Sequence, residues 1–368
     1  MLDRSKLLNQ LEQYTETIFF DISNEVNIAQ QTWYHITHDA EFGKKIASIS
    51  CPWLLPTWSE ALGATYAINS IVSDYAIIGI DGSQVYPDRH QGTSCFLINT
   101  GAVILQYGQQ AAVRFYSEPH VFLADEMEEA QQKEYIDCLR EEFELNKAIE
   151  LALQYNADQP IMLFDGSLIF WHLMNKEEKL ADQFLQKYCN VLQRLYEQRS
   201  LYAAYISLPK SKELINLIRL QLCNLQPQGC VLYKEIDRLV DADLMQQVLK
   251  PYERTILFKN HAAIVADYPE QLRPYFFYLH TGNEIARVEI PAWIAENPKQ
   301  VNEIASALMD QCIKGNGYPV VLAEAHEQAV IKSADREFFY QSMYHVGITL
   351  KKPLAMSQKS LRKRSMGI

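Results

Sequence analysis

Asp81-Gly82-Ser83 and Asp165-Gly166-Ser167 repeat one tripeptide, each time at the C-terminal end of a short apolar run. The runs are Tyr75-Ala-Ile-Ile-Gly-Ile80 and Pro160-Ile-Met-Leu-Phe164. Runs this short, bounded by turn residues, read as buried central strands. A carboxylate at the end of such a strand is costly to keep ionised unless it binds something. One copy is explained by turn chemistry alone, since Asp and Gly favour turns and Ser caps helices. Two copies at matching strand ends suggest a shared cation.

Around these runs the hydrophobic period changes. Leu7, Leu8, Leu11, Tyr14, Ile18, Ile22 and Val26 recur at three- and four-residue steps, which predicts a helical segment over residues 1–70 whose apolar stripe packs on the body. Cys51-Pro-Trp-Leu-Leu-Pro-Thr-Trp58 breaks it with two prolines and offers a hinge or contact surface. From Tyr75 the pattern is strand-like. Stretches 93–98 and 102–107 flank Asn99-Thr-Gly101, a tight hairpin signal. A long helix over about 124–155 precedes the second aspartate-ended strand, and another follows over about 176–199. Strands are then expected at 201–206, 275–280, 285–290 and 317–322, and helices near 212–225, 298–313 and 325–330. Three antiparallel strands, a helix and a parallel strand beside the first is the order of a ribonuclease H-like core. The expected fold is therefore α/β, a mixed sheet flanked by helices. Residues 1–70 would form a helical N-terminal segment, 71–348 the main domain and 349–368 a basic tail.

Composition excludes several classes. Hydrophobic residues make up 48% and charged residues 21%, as in ordinary soluble globular proteins. No apolar stretch approaches the roughly 18 residues of a membrane span, and Met1-Leu-Asp-Arg-Ser-Lys6 does not read as a secretory signal. Seven scattered cysteines form no C-x-x-C pair, which argues against a zinc site or disulfide framework and for a reduced, cytoplasmic protein. The net charge of −11 argues against a general nucleic-acid coat. Residues 349–368 nevertheless carry six Lys or Arg and no acid, a solvated end that could also meet a phosphate backbone or a partner.

In the ribonuclease H-like order the first and fourth strands are neighbours, so Asp81 and Asp165 would lie side by side. Two carboxylates forced together repel, and one stays protonated. A divalent cation removes that penalty, and hard oxygen ligands favour magnesium or manganese. The intervening helix offers a third carboxylate from Glu141, Glu142 or Glu144, all flanking the buried stripe of Ile136, Leu139 and Phe143. Spacing does not choose among them, and an Arg140–Glu144 surface pair is the plain alternative. Glu324-Ala-His326-Glu327 offers His326 as a nitrogen ligand or proton carrier. Lys210, Arg254 and Arg287 are candidate phosphate contacts, with ordinary surface pairs as the alternative.

An ordered set of stretches gives these residues a context: Ile80-Asp-Gly-Ser-Gln84 with Pro87-Asp-Arg-His90, the Arg140–Glu144 helix, Leu163-Phe-Asp-Gly-Ser-Leu168, Tyr205-Ile-Ser-Leu-Pro-Lys-Ser211, Arg287-Val-Glu-Ile-Pro291 and Gly317-Tyr-Pro-Val-Val-Leu-Ala-Glu-Ala-His326. The set resembles the NurA family of DNA-end-processing nucleases, bacterial type, over about residues 75–345. The resemblance implies a manganese-dependent nuclease, with magnesium the other candidate and two ions bound. It implies 5′-to-3′ exonuclease and single-strand endonuclease activity on DNA, and a homodimer resecting ends with a hexameric HerA-type ATPase. By the same resemblance the metal-binding positions fall on Asp81, Glu144, Asp165 and His326. Two rivals share parts of the pattern. An actin-like-fold, ATP-dependent phosphotransferase also begins with an Asp-Gly turn. It needs further glycine-rich nucleotide turns, and this chain has 14 glycines and no G-x-G-x-x-G or P-loop. A non-catalytic DNA or translocase adaptor would keep the fold without turnover, yet all four ligand positions are filled.

Overall fold

A computed structural model describes residues 2–15, 21–68, 74–88, 95–123, 129–155 and 159–351. Ten strands form one sheet: β1 (Thr65–Ala67), β2 (Ala76–Val85), β3 (Cys95–Gln106), β4 (Ala112–Leu123), β5 (Ile161–Asp165), β6 (Tyr202–Ile206), β7 (Glu253–Thr255), β8 (Phe258–Lys259), β9 (Pro274–His280) and β10 (Ile285–Pro291). Their order is β1-β7-β9-β10-β6-β5-β2-β3-β4, with β8 also pairing β9. The segment β2-β3-β4 is antiparallel, β5 runs parallel to β2, and β6 runs parallel to β5. This is the ribonuclease H-like order, extended beyond β6 by antiparallel β10 and β9.

The helices are α1 (Arg4–Gln13), α2 (Ser23–Thr37), α3 (Phe42–Ile46), α4 (Glu129–Gln154), α5 (Glu178–Glu197), α6 (Glu213–Leu222), α7 (Asp241–Val248), α8 (Ala292–Ala295), α9 (Pro298–Lys314), α10 (Val320–Ala329) and α11 (Ser333–Thr349). Side chains alternate across a strand, and β2 shows which helix lies on which face. Gly79 and Ser83 meet α10, whereas Gly82 meets α4. The main core fills both sides of the central strands. A second core joins α2 and α3 to α6, α7 and the β7–β9 end, through Trp33, Phe42, Leu214, Ile218, Phe258 and Tyr278.

Several expectations fail for physical reasons. Asn99-Thr-Gly101 is no hairpin; it lies inside β3, paired to Ser83, Gly82 and Asp81. Its turn-like composition serves close contact with α10 instead. The real reversal comes after Gln106, and β4 went unseen because its sides alternate half-buried and exposed, with Val113, Phe115, Val121 and Leu123 outward. The strand expected at 317–322 is the start of α10, whose buried Val321, Leu322, Ala325 and Ala329 follow a helical step. In the N-terminal segment Leu7, Leu8 and Leu11 on α1 and Tyr14 just after it are exposed, while Ile22 and Val26 pack on the second core; Ile18 lies outside the described residues. That segment also supplies β1, and Trp53, Leu55 and Trp58 of the proline-broken stretch pack on the second core. Cys223 and Cys230 form a disulfide, so two of the seven thiols are not free. Asn224 and Leu225, both in the left-handed region, fold the chain back after α6 and bring the two sulfurs together. Among the described residues no helix is long and apolar enough to cross a membrane.

Candidate active site

The site begins with a helix seated unusually close to a sheet. A side chain at Gly79 would fall 2.4 Å from the Val321 carbonyl, and one at Gly101 would fall 2.3 Å from the Ala329 amide. Glycine at both positions lets α10 lie directly on β2 and β3. The sheet then caps the helix end, where carbonyls lack intrahelical partners. The Asn99 amide donates to Gln328 O at 3.1 Å and Ala329 O at 2.9 Å, and the Ser83 hydroxyl also donates to Ala329 O. This seating puts His326 Nδ1 2.8 Å from Asp81 Oδ2. The other Asp81 oxygen accepts from the Gly82 amide at 2.7 Å. With Nδ1–H donating to Asp81, a neutral His326 presents its lone pair at Nε2.

Strand register sets the second carboxylate. Ile80 pairs Phe164 across the parallel β2–β5 ladder, so Asp81 and Asp165 are the next residues on neighbouring strands. Asp165 ends β5, and Tyr318, just before α10, donates to it. Although Asp165 reaches solvent, desolvation raises its pKa; the Tyr318 hydrogen bond opposes that shift, and the charge of Asp81 adds to it. The same burial and the Asp165 charge push the Tyr318 phenol up.

Of the three helix glutamates, only Glu144 turns to this end of the sheet. It passes over Gly82, where a methyl group would lie 2.5 Å from Glu144 Oε1. Arg140 pairs with the same oxygen. Desolvation pushes the Glu144 pKa up to about 7 despite that guanidinium, and the charges of Asp81 and Asp165 add to the shift. Glu142 instead pairs with Lys187 at 2.7 Å. Glu141 Oε2 lies 3.1 Å from His172 Nε2, too poorly aligned for a hydrogen bond. Burial raises Glu141 to about 8 and lowers His172 to about 4, so both are neutral near pH 7.

The second Asp-Gly-Ser is anchored from β10. Glu289 Oε2 accepts from the Ser167 hydroxyl at 2.7 Å and the Leu168 amide at 2.9 Å. Arg287 Nε donates to Glu289 Oε1 at 2.8 Å and its Nη1 to Glu213 at 2.9 Å. Arg287 is 2% exposed, with its guanidinium held over Phe276, so the expectation of a phosphate contact fails there. A buried guanidinium requires its charge partners close by. Arg254 fails likewise. It is 6% exposed, lies over the Tyr66 ring and donates to Thr255 O and Asn302 Oδ1 at 2.9 Å each. Lys210 is exposed on the rim of a cavity behind the second tripeptide. Tyr318, Arg140 and Glu289 belong to the site's support, and sequence patterning had given none of them that role.

Three carboxylates and an imidazole form a donor set suited to manganese or magnesium. The raised pKa values of Asp165 and Glu144 come first from desolvation and then from neighbouring carboxylate charge, and a bound cation would offset both. Among the described residues no three Asp, Glu, His or Cys side chains converge closely enough to hold one ion as they stand. Arg140 and His326 occupy the oxygens that would turn to it.

Likeness to known proteins bears on the fold and the family. The crystal structure of the NurA nuclease from Sulfolobus solfataricus is 18% identical, with a TM-score of 0.57 and coverage of 96% of this chain and 98% of that one. At that identity the likeness shows the fold. A NurA structure with manganese is 12% identical with a TM-score of 0.40, covering 93% of this chain and all of that one. The catalytic domain of human endonuclease V is 13% identical with a TM-score of 0.34, covering 88% and 98%. No curated protein matches the chain. Residues 75–331 match the NurA domain, a span that starts at the strand carrying Asp81 and ends just past His326, and the chain therefore belongs to the NurA family.

Proposed function

We propose that this chain is a metal-dependent DNA nuclease whose chemistry is done where β5 ends beside Asp81 of β2. What carries the reading is the register of those strands, which makes Asp81 and Asp165 neighbours within reach of Glu144 and His326. Asp81, Glu144, Asp165 and His326 would hold manganese, or magnesium, as two ions. When bound, the cations would neutralise phosphate charge and lower the pKa of the attacking water. The protein's own part is positioning and proton handling. The Gly82 amide and His326 fix both Asp81 oxygens, Tyr318 orients Asp165, and His326 Nε2 is free to bind a ligand or carry a proton.

Family membership supports the finer reading: 5′-to-3′ exonuclease and single-strand endonuclease activity in end resection, by a cytoplasmic homodimer working with a HerA-type hexameric ATPase. In that reading 71–348 is the nuclease domain, and the segments 1–70 and 349–368 are open for partner or DNA contact. Purified protein with manganese and end-labelled DNA should cleave, and Asp81→Ala should not. No cleavage with or without a cognate translocase would end the nuclease reading; equal cleavage by Asp81→Ala would end the assignment of that residue.

A further inference from the structure

We propose that the cavity behind the second Asp-Gly-Ser receives an unpaired nucleobase of the DNA strand under attack, stacked on Trp171; this rests on the nuclease reading. The cavity holds about 450 Å³, within the roughly 300–1,000 Å³ usual for small-molecule sites. Gly166 and Ser167 form part of its wall. They directly follow Asp165, so the cavity and the carboxylate share one turn. A strand whose phosphate reached Asp165 would have its adjoining nucleotide at the mouth.

The buried part of the lining offers a phosphate no cation that is not already engaged. Glu213, Glu289 and Arg287 line it at 4%, 0% and 2% exposure. Arg287 is held by those two carboxylates, and Lys212, which also lines the cavity, donates to the Asp237 carbonyl at 2.6 Å. Trp171, also on the wall, is 39% exposed, and its ring contacts no other described ring. A half-open indole beside a nuclease site is a stacking platform, and stacking tolerates any base. The cation stands at the rim: Lys210 is exposed and has no hydrogen-bond or ion-pair partner among the described residues. Just before it, Leu208 is 74% exposed and held at φ 46°, a conformation costly for a leucine. Such backbone strain is a feature of ligand clamps.

The test is binding of a fluorescein-labelled oligothymidylate to the full chain in EDTA, read by anisotropy. Trp171→Ala should weaken binding about five- to a hundredfold, Trp171→Phe should retain most of it, and Lys210→Ala should lower the salt dependence by about one phosphate contact. On a strand of abasic residues, wild type and Trp171→Ala should bind alike. Equal binding of oligothymidylate by wild type and Trp171→Ala overturns the proposal. A Trp171→Ala loss that persists on the abasic strand overturns it too, as does no binding by wild type. Manganese-dependent cleavage by the same wild-type preparation separates the two ideas. Cleavage without a Trp171 effect removes only the base site, and a base-dependent Trp171 effect without cleavage removes only the nuclease reading.

Discussion

The two Asp-Gly-Ser tripeptides are identical in sequence and unlike in structure. The first is not a turn. It continues β2, fully paired to β3, with Ser83 capping α10 and Gly82 lying beneath Glu144. The second leaves the strand in a bend: Asp165 ends β5, Gly166 takes φ 118°, and Glu289 ties down Ser167. What they share is the aspartate, one residue past a paired position on neighbouring parallel strands. Identical tripeptides here solve two local problems, and only the carboxylate is placed alike.

That contrast can be broken by substitution. Asp165→Asn should reduce cleavage as severely as loss of Asp81, on the order of 10³-fold, with a folded protein by circular dichroism; an active Asp165→Asn would leave Asp81 without its partner. Glu289→Ala should destabilise by about 3 kcal/mol in urea unfolding, because it strips a buried guanidinium of one carboxylate and frees the second turn. Among the described residues the first tripeptide is held by β3 and by Ala329 O rather than by a buried carboxylate, so a Glu289→Ala stability loss below about 0.5 kcal/mol would refute the distinction. The glycines should separate most cleanly. Gly166→Ala has open space but a left-handed backbone, and should cost about 1–2 kcal/mol of stability. Gly82→Ala meets Glu144 and Arg140, and should cost roughly tenfold or more in activity by displacing Glu144. The reverse pattern would mean that Glu144 does not serve the site.

The smallest effect is in pH. Glu144 at about 7 and Glu141 at about 8 both stand above the ordinary glutamate value of 4.5. A raised carboxyl pKa favours the protonated native state, so its stabilisation is complete below about pH 4.5 and is lost as pH rises towards about 8. Asp241, raised to about 7 by burial, acts in the same direction. The metal-free melting temperature should therefore fall between about pH 6.5 and pH 8 by a few degrees, because below that His172, lowered to about 4, acts in the opposite direction. Manganese should restore more of it at the upper end, where Glu144 is ionised. Glu141→Gln should flatten the fall without altering the response to manganese; an unchanged slope would mean Glu141 titrates normally.

The adjacency of Asp81 and Asp165 was readable because both apolar runs end in Asp-Gly-Ser, although the three antiparallel strands were counted by splitting β3 in two and missing β4. The helix glutamates were not separable by spacing. Glu142 and Glu144 differ by only two positions, yet one faces Lys187 on α5 and the other Gly82 on β2, a matter of packing. Asn99-Thr-Gly101 misled because residues that permit turns also permit a helix to approach a sheet closely. Arg254 and Arg287 misled because sequence shows charge but not burial; each guanidinium is held within the fold by its own hydrogen bonds. Tyr318 stood beside a proline with nothing to mark its partner 153 residues earlier.

The seating of α10 on its glycine floor has a consequence for synthesis. His326 meets Asp81 across 245 residues of chain. A ribosome that has released Asp81, Glu144 and Asp165 has still to make the helix that orients the first of them. Contacts this distant in sequence form late. A growing chain thus carries Asp81 through 245 further residues before the histidine that holds its Oδ2 is made.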